Sequence, residues 1–152
     1  MNDSSSAKPR APTRAEFVHF RTLATRWRDN DAYGHVNNVV YYEWFDTAVN
    51  AYLIESGALD IATSPVVGYV VETRCTYFAP LTYPEPVAVG LAVERIGRTS
   101  VRYALAVFAT GSDTAAAAGE FVHVYVDRAT EAPVEIPPPL MSALNRLRRH
   151  GR

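Results

Sequence analysis

The sequence predicts an α+β domain in which one long helix is wrapped by a five-stranded antiparallel sheet. Three observations carry that reading. Only one stretch, Val39 to Ser56, shows sustained helical spacing of apolar residues. Four strand-like runs follow it, and a fifth precedes it. Strands this rich in Val, Tyr and Phe cannot leave both faces wet, and the simplest way to bury one face is to curl the sheet around the helix.

The elements fall in a definite order. Residues 1–13 are rich in Ser, Pro and Ala, carry Lys8 and Arg10, and lack an apolar signal core, so they read as a disordered lead-in to a single domain over 14–149. Phe17 to Arg28 alternates loosely and reads as the first strand. Asp29 to Asn38 is turn-rich and pivots on Gly34. The helix repeats apolar or small residues at Val40, Trp44, Thr47, Ala48, Ala51 and Tyr52, and Gly57 is its natural stop. Val66–Tyr77, Val87–Ile96, Ser100–Thr110 and Ala115–Asp127 are the later strands, read as a meander, with a Pro-rich connection from Phe78 to Pro86. The alanine run at Ala115 reads as a packed strand end or a frayed loop. Pro133 to Pro139 is a second Pro-rich stretch, and Leu140–Arg149 a short terminal helix. One helix covers one face only, so the outer face or an edge should meet another subunit. An obligate oligomer is expected.

Bulk composition excludes several classes. The chain has 152 residues, 48% hydrophobic content, 20% charged residues and a net charge of −1, which suits one cored domain and attracts neither nucleic acid nor membrane. The arginines at 146, 148, 149 and 152 read as a solvated helix end. No apolar run reaches membrane-spanning length. Cys75 is the only cysteine, so no disulfide forms within the chain, zinc is not expected, and a cytoplasmic setting fits. Cys75 itself reads as a small buried side chain, and His123 on the last strand as a structural histidine.

The segment Arg26-Trp-Arg-Asp-Asn-Asp-Ala-Tyr-Gly-His-Val-Asn-Asn38 stands apart. It packs Asp29, Asp31, Gly34, His35, Asn37 and Asn38 into ten positions at the mouth of the helix. A carboxylate beside the free N–H groups of a helix N-terminus can attack and polarise a carbonyl. Each residue also has a plainer reading. Asp29 and Asp31 can cap a turn, His35 can be structural, and the two asparagines tolerate turn conformations.

This motif, Asp-x-Asp-x-x-Gly-His-Val-Asn-Asn before a helix, resembles the hot-dog fold, and more narrowly the acyl-CoA thioesterases of the 4-hydroxybenzoyl-CoA thioesterase type. The resemblance runs from Phe17 to Leu147. It includes Tyr42-Glu-Trp-Phe-Asp-Thr-Ala, Val71-Glu-Thr-Arg-Cys-Thr-Tyr, Arg95-Ile-Gly-Arg-Thr-Ser and Val122-His-Val-Tyr-Val-Asp. It implies hydrolysis of an acyl-CoA to free acid and CoA, with Asp31 as nucleophile or general base and the backbone N–H of Asn38 polarising the carbonyl. Gly34, His35 and Asn37 then shape the site, while Arg98, Thr99 and Arg128 become candidates for contacting CoA phosphates, often from a neighbouring subunit. No metal or organic cofactor is implied, and assembly is to a homodimer or homotetramer. One departure is that Val49 follows Ala48 where many relatives carry a helix arginine. Two other readings stand beside this one. A hot-dog hydratase would use Asp-x-Asn-Pro-x-His, but Gly34 is the fifth residue after Asp29 and the turn has no proline. A non-catalytic acyl-thioester binder would retain the fold without turnover. The acyl group, the carrier (CoA or acyl-carrier protein) and the choice between nucleophile and base are not legible in the residues.

Overall fold

The computed structural model of the chain describes residues 9–149. Its elements are β1 (His19–Leu23), α1 (Val40–Glu55), β2 (Val66–Tyr77), β3 (Val87–Ile96), β4 (Ser100–Ala109), β5 (Ala117–Asp127) and α2 (Pro138–Asn145), with 3-10 turns at Arg14–Glu16 and Trp27–Asp29. The five strands form one antiparallel sheet in the order β1-β3-β4-β5-β2. A single long helix lies across one face. This is the hot-dog arrangement.

Helix α1 buries Val40, Tyr41, Trp44, Phe45, Ala48, Val49 and Leu53, a broad stripe that packs on Val89, Leu91, Tyr103, Leu105, Phe121 and Tyr125 of the sheet. A 16-residue helix is marginal alone, whereas each large side chain of that stripe contributes about 2 kcal/mol on burial. Packing therefore decides the helix. It ends at Gly57, whose φ of +78° lets its N–H reach Ile54 O while the Ala58 N–H reaches Leu53 O.

Two expectations need correction at the level of topology. The later strands are not one meander: β3, β4 and β5 follow one another, but β2 lies at the far edge, paired with β5. The nine residues from Phe78 to Pro86 are too long for a tight hairpin, and instead carry the chain under one end of the sheet to β3. The first strand is also shorter than Phe17–Arg28. It pairs only His19–Leu23 with Val87–Leu91, after which the Asp29 carboxylate accepts the Arg26 N–H and closes a 3-10 turn. At the other end α2 starts early because Pro138 suits a first helical turn. It stops at Asn145, and the chain then lies along β3, where Val93 N–H donates to Leu147 O.

The outer face is divided. Over β3 and β4 it is covered by the chain itself: Phe17 packs on Ala92, Ala104, Ala106, Phe108 and Ala115. Over β5 and β2 it carries the ion pairs Arg74–Glu120, Arg102–Glu120 and Arg102–Glu72. Of the expected lead-in, residues 1–8 lie outside the described residues. The described remainder is seated on the sheet, with Thr13 bridging Thr114 and Pro12 O accepting the Ala115 N–H.

The core holds one buried histidine. His123 is 2% exposed among Tyr103, Phe121 and Tyr125, and its Nδ1 has no partner among the described residues. Burial without a compensating acceptor lowers its pKa from 6.5 to about 4. The folded protein thus holds it neutral, while an unfolded chain takes up a proton below about pH 6.5. Its contribution to stability is complete above that pH and is lost as pH falls towards 4, up to about 3 kcal/mol. Chemical denaturation between pH 7 and 4.5 should show that loss, and His123→Leu should flatten the slope.

Candidate active site

The polar segment forms a compact turn because its own groups satisfy one another. Asp29 is 1% exposed. Its carboxylate accepts the Arg26 N–H at 2.7 Å and the Arg26 guanidinium at 2.9–3.0 Å, and its carbonyl accepts the Asn37 N–H at 2.8 Å. Asp29 is thus the residue that folds the segment. Its charge is matched by Arg26, which also reaches Glu43 on α1.

Asp31 differs in every respect. It is only partly buried, and its Oδ1 accepts the Tyr33 N–H at 2.8 Å. Its main chain closes the turn, Asp31 N–H to His35 O and Gly34 N–H to Asp31 O. That turn requires φ of +82° at Gly34, a value costly for any residue with a Cβ. No described residue partners Asp31 Oδ2.

The turn is fastened to the connector between β2 and β3. Asn30 Nδ2 donates to Thr82 Oγ1, the Tyr83 N–H donates to Asn30 Oδ1, and Thr82 Oγ1 donates to Gly34 O. The Val36 N–H donates to Leu81 O at 2.8 Å. The composition gave no hint of this role for Asn30 and Thr82, because the partners lie about fifty residues apart.

At the helix mouth the donors are unequally occupied. Asn37 N–H goes to Asp29 O, Val39 N–H to Asn37 Oδ1 and Val40 N–H to Asn37 O. The Asn38 N–H meets no acceptor among the described residues. Asn38 lines a cavity of about 340 Å³ together with His35, Val36, Tyr41, Tyr77, Phe78, Ala79 and Pro80. A free N–H at a helix N-terminus, in a mostly apolar and aromatic cavity, can stabilise a developing oxyanion.

The sequence-marked residues therefore separate. His35 and Asn38 line the cavity, Asn37 accepts the Val39 and Val40 N–H groups at the start of α1, and the Asp31 N–H is bonded to the carbonyl of His35. Arg98, Thr99 and Arg128 lie elsewhere, at the opposite ends of β3, β4 and β5. Arg98 faces Glu135, Thr99 O accepts the Tyr125 N–H, and Arg128 holds the carbonyls of Ile61 and Ala62. With β4 about 30 Å long, those three do not meet the cavity within one chain. Cys75 sits beside Tyr77, half-buried, and burial pushes its thiol up to about 11, so it stays protonated at neutral pH. Among the described residues no cluster of three His, Cys, Asp or Glu side chains could hold a metal ion, and no helix is long and apolar enough to cross a membrane.

The family model for the thioesterase-like superfamily matches residues 25–144. No curated protein matches the sequence. Among solved structures, the PA5185 protein from Pseudomonas aeruginosa strain PAO1 superposes with a TM-score of 0.91 at 52% identity, covering 95% of this chain and all (100%) of that one. A 1,4-dihydroxy-2-naphthoyl-CoA thioesterase from Synechocystis gives 0.75 at 16% identity, over 83% of this chain and 94% of its own. A gentisyl-coenzyme A thioesterase gives 0.73 at 23% identity, over 83% and 99%. The last two likenesses speak to the fold.

Because Asp29 serves the turn, Asp29→Ala should lower stability by about 2–4 kcal/mol, leaving Arg26 and the segment's N–H groups without their acceptor. Urea unfolding at pH 7 measures it, and Asp31→Asn in the same assay should change stability by less than about 1 kcal/mol.

Proposed function

The chain belongs to the thioesterase-like superfamily, and from that premise we propose that it hydrolyses an acyl-CoA thioester to the free acid and CoA. The observation that carries this reading is an unoccupied Asn38 N–H in an aromatic cavity, with the partly exposed Asp31 carboxylate on the turn whose His35 lines that cavity. Bound with its carbonyl oxygen at Asn38, the thioester carbon is polarised by the N–H and by the positive end of α1. Asp31 then acts in one of two ways. As nucleophile, it displaces the thiolate to leave an aspartyl anhydride that water opens. As general base, it takes a proton from the attacking water. In both, the sulfur leaves as CoA thiolate, and no cofactor enters. Gly34 and Asn37 hold the geometry, and His35 lines the cavity next to the turn that carries Asp31.

The same reading includes self-association. Strand β2 is a 12-residue edge with one row of backbone donors and acceptors unpaired, and its Tyr69, Val70 and Val71 remain exposed, Val71 at 59%. Long apolar edges of this kind are templates for another strand. The occupant proposed is a second copy of β2 about a twofold axis, which extends the sheet and closes the open side of the cavity. The outer face fits this role less well, being covered by Phe17 or studded with ion pairs.

Purified protein should release CoA thiol from members of a panel of aryl, short-chain and long-chain acyl-CoA substrates. Asp31→Asn should lower kcat by at least about 100-fold, whereas Asn38→Ala, which keeps the main-chain N–H, should cost less than about fivefold. Full activity in Asp31→Asn would sink the mechanism. In light scattering the protein should run as a dimer or larger, and Val71→Lys should shift it towards monomer.

A further inference from the structure

Tyr77 closes β2, and its side chain shares the helix-side face of that strand with Thr73 and Cys75. Its ring meets Tyr41 edge to face at 4.9 Å, and its hydroxyl donates to Asn38 O at 2.9 Å. Tyr77 is 42% exposed, so little of its ring is needed to fill the core. What the hydroxyl does is reach from the sheet to a helix-mouth residue whose N–H meets no acceptor among the described residues.

The other bonds around Asn38 come from within the turn itself. Asn37 is held at its N–H by Asp29 and caps Val39 and Val40. Turning the Asn38 N–H away from the cavity requires a crankshaft rotation of the 37–38 peptide, and that rotation pivots on the φ of Asn38. Residue 38 is held on its carbonyl side by Tyr77, an anchor in the rigid β2–β5 pair. We propose that Tyr77 is a positioning residue for the oxyanion donor: its hydroxyl fixes the Asn38 backbone, and through it the direction of the Asn38 N–H. This rests on the thioesterase reading above, but it can fail separately from it.

Tyr77→Phe keeps the ring and the Tyr41 contact and removes only the clamp. The expected result is a kcat lowered about tenfold, in line with partial misalignment of one oxyanion donor, with KM within about twofold. The thermal midpoint should stay within about 2 °C. A merely structural hydroxyl would lower the midpoint and leave kcat alone, and that outcome overturns the proposal. Tyr77→Leu, which also removes a cavity wall, should raise KM in addition. Amide exchange on the same variants gives a readout independent of turnover. The Val39 and Val40 N–H groups should exchange about fivefold faster in Tyr77→Phe than in the parent, the effect of losing one ordinary hydrogen bond. Unchanged exchange there overturns the clamp even if no acyl-CoA is turned over. Conversely, an active parent with an inactive Asp31→Asn and an unaffected Tyr77→Phe keeps the thioesterase reading and removes this one.

Discussion

The position of everything at the candidate site depends on the burial of one aromatic stripe. Tyr41, Trp44, Phe45, Ala48 and Val49 press α1 onto the concave face of the sheet, and that contact sets where the N-terminus of the helix emerges. It emerges where β2 ends and the connector to β3 begins. Backbone and side-chain groups from two separate stretches, 29–40 and 77–83, then converge on one spot. No single hydrogen bond there exceeds about 1–2 kcal/mol. They hold because the helix beneath them is fixed by packing worth several times more.

Within that frame the two aspartates divide the labour according to burial. A fully desolvated carboxylate is tolerable only when paired and bonded. Asp29, given Arg26 and the N–H of the same residue, is spent on structure. Asp31 lies two residues on, at the start of the turn that Gly34 makes possible. It keeps one oxygen without a partner among the described residues. The separation follows from local geometry: a carboxylate that folds the turn cannot also be free to attack.

How much of this was legible in the sequence varies by the kind of physics involved. Periodicity reported α1 to within a residue at each end and gave β2 and β3 their full spans, because facing a core imposes a period on side chains. It did not report which strand β2 would pair with. Alternation marks faces, not neighbours, so the edge position opposite β1 was invisible. The first strand was overread because Ala24 to Arg28 alternates as a strand does, yet the Asp29–Arg26 pair bends the chain at that point. The candidate site was legible where its residues are consecutive, from Asp29 to Asn38. Tyr77, Asn30 and Thr82 were not, since their hydrogen bonds span about forty to fifty positions and leave no local pattern.

Arg98, Thr99 and Arg128 pose a geometric question of their own. They sit at the far end of the sheet from Asn38, and a chain on its own gives them nothing to do at the cavity. The twofold pairing of β2 proposed above would change this for one of them. Such pairing is antiparallel, so the Val66 end of one strand lies beside the Tyr77 end of the other. Val66 is paired with Asp127, and the Arg128 N–H donates to Pro65 O, so Arg128 travels with that end. The guanidinium, fixed by the carbonyls of Ile61 and Ala62, would then stand near the open side of the second copy's cavity, where the thiol carrier of the proposed substrate would leave. Arg98 and Thr99, at the turn between β3 and β4, are two strands further in and gain no such access from this axis. On the proposed pairing, the same edge would rank the three candidates and put Arg128 first.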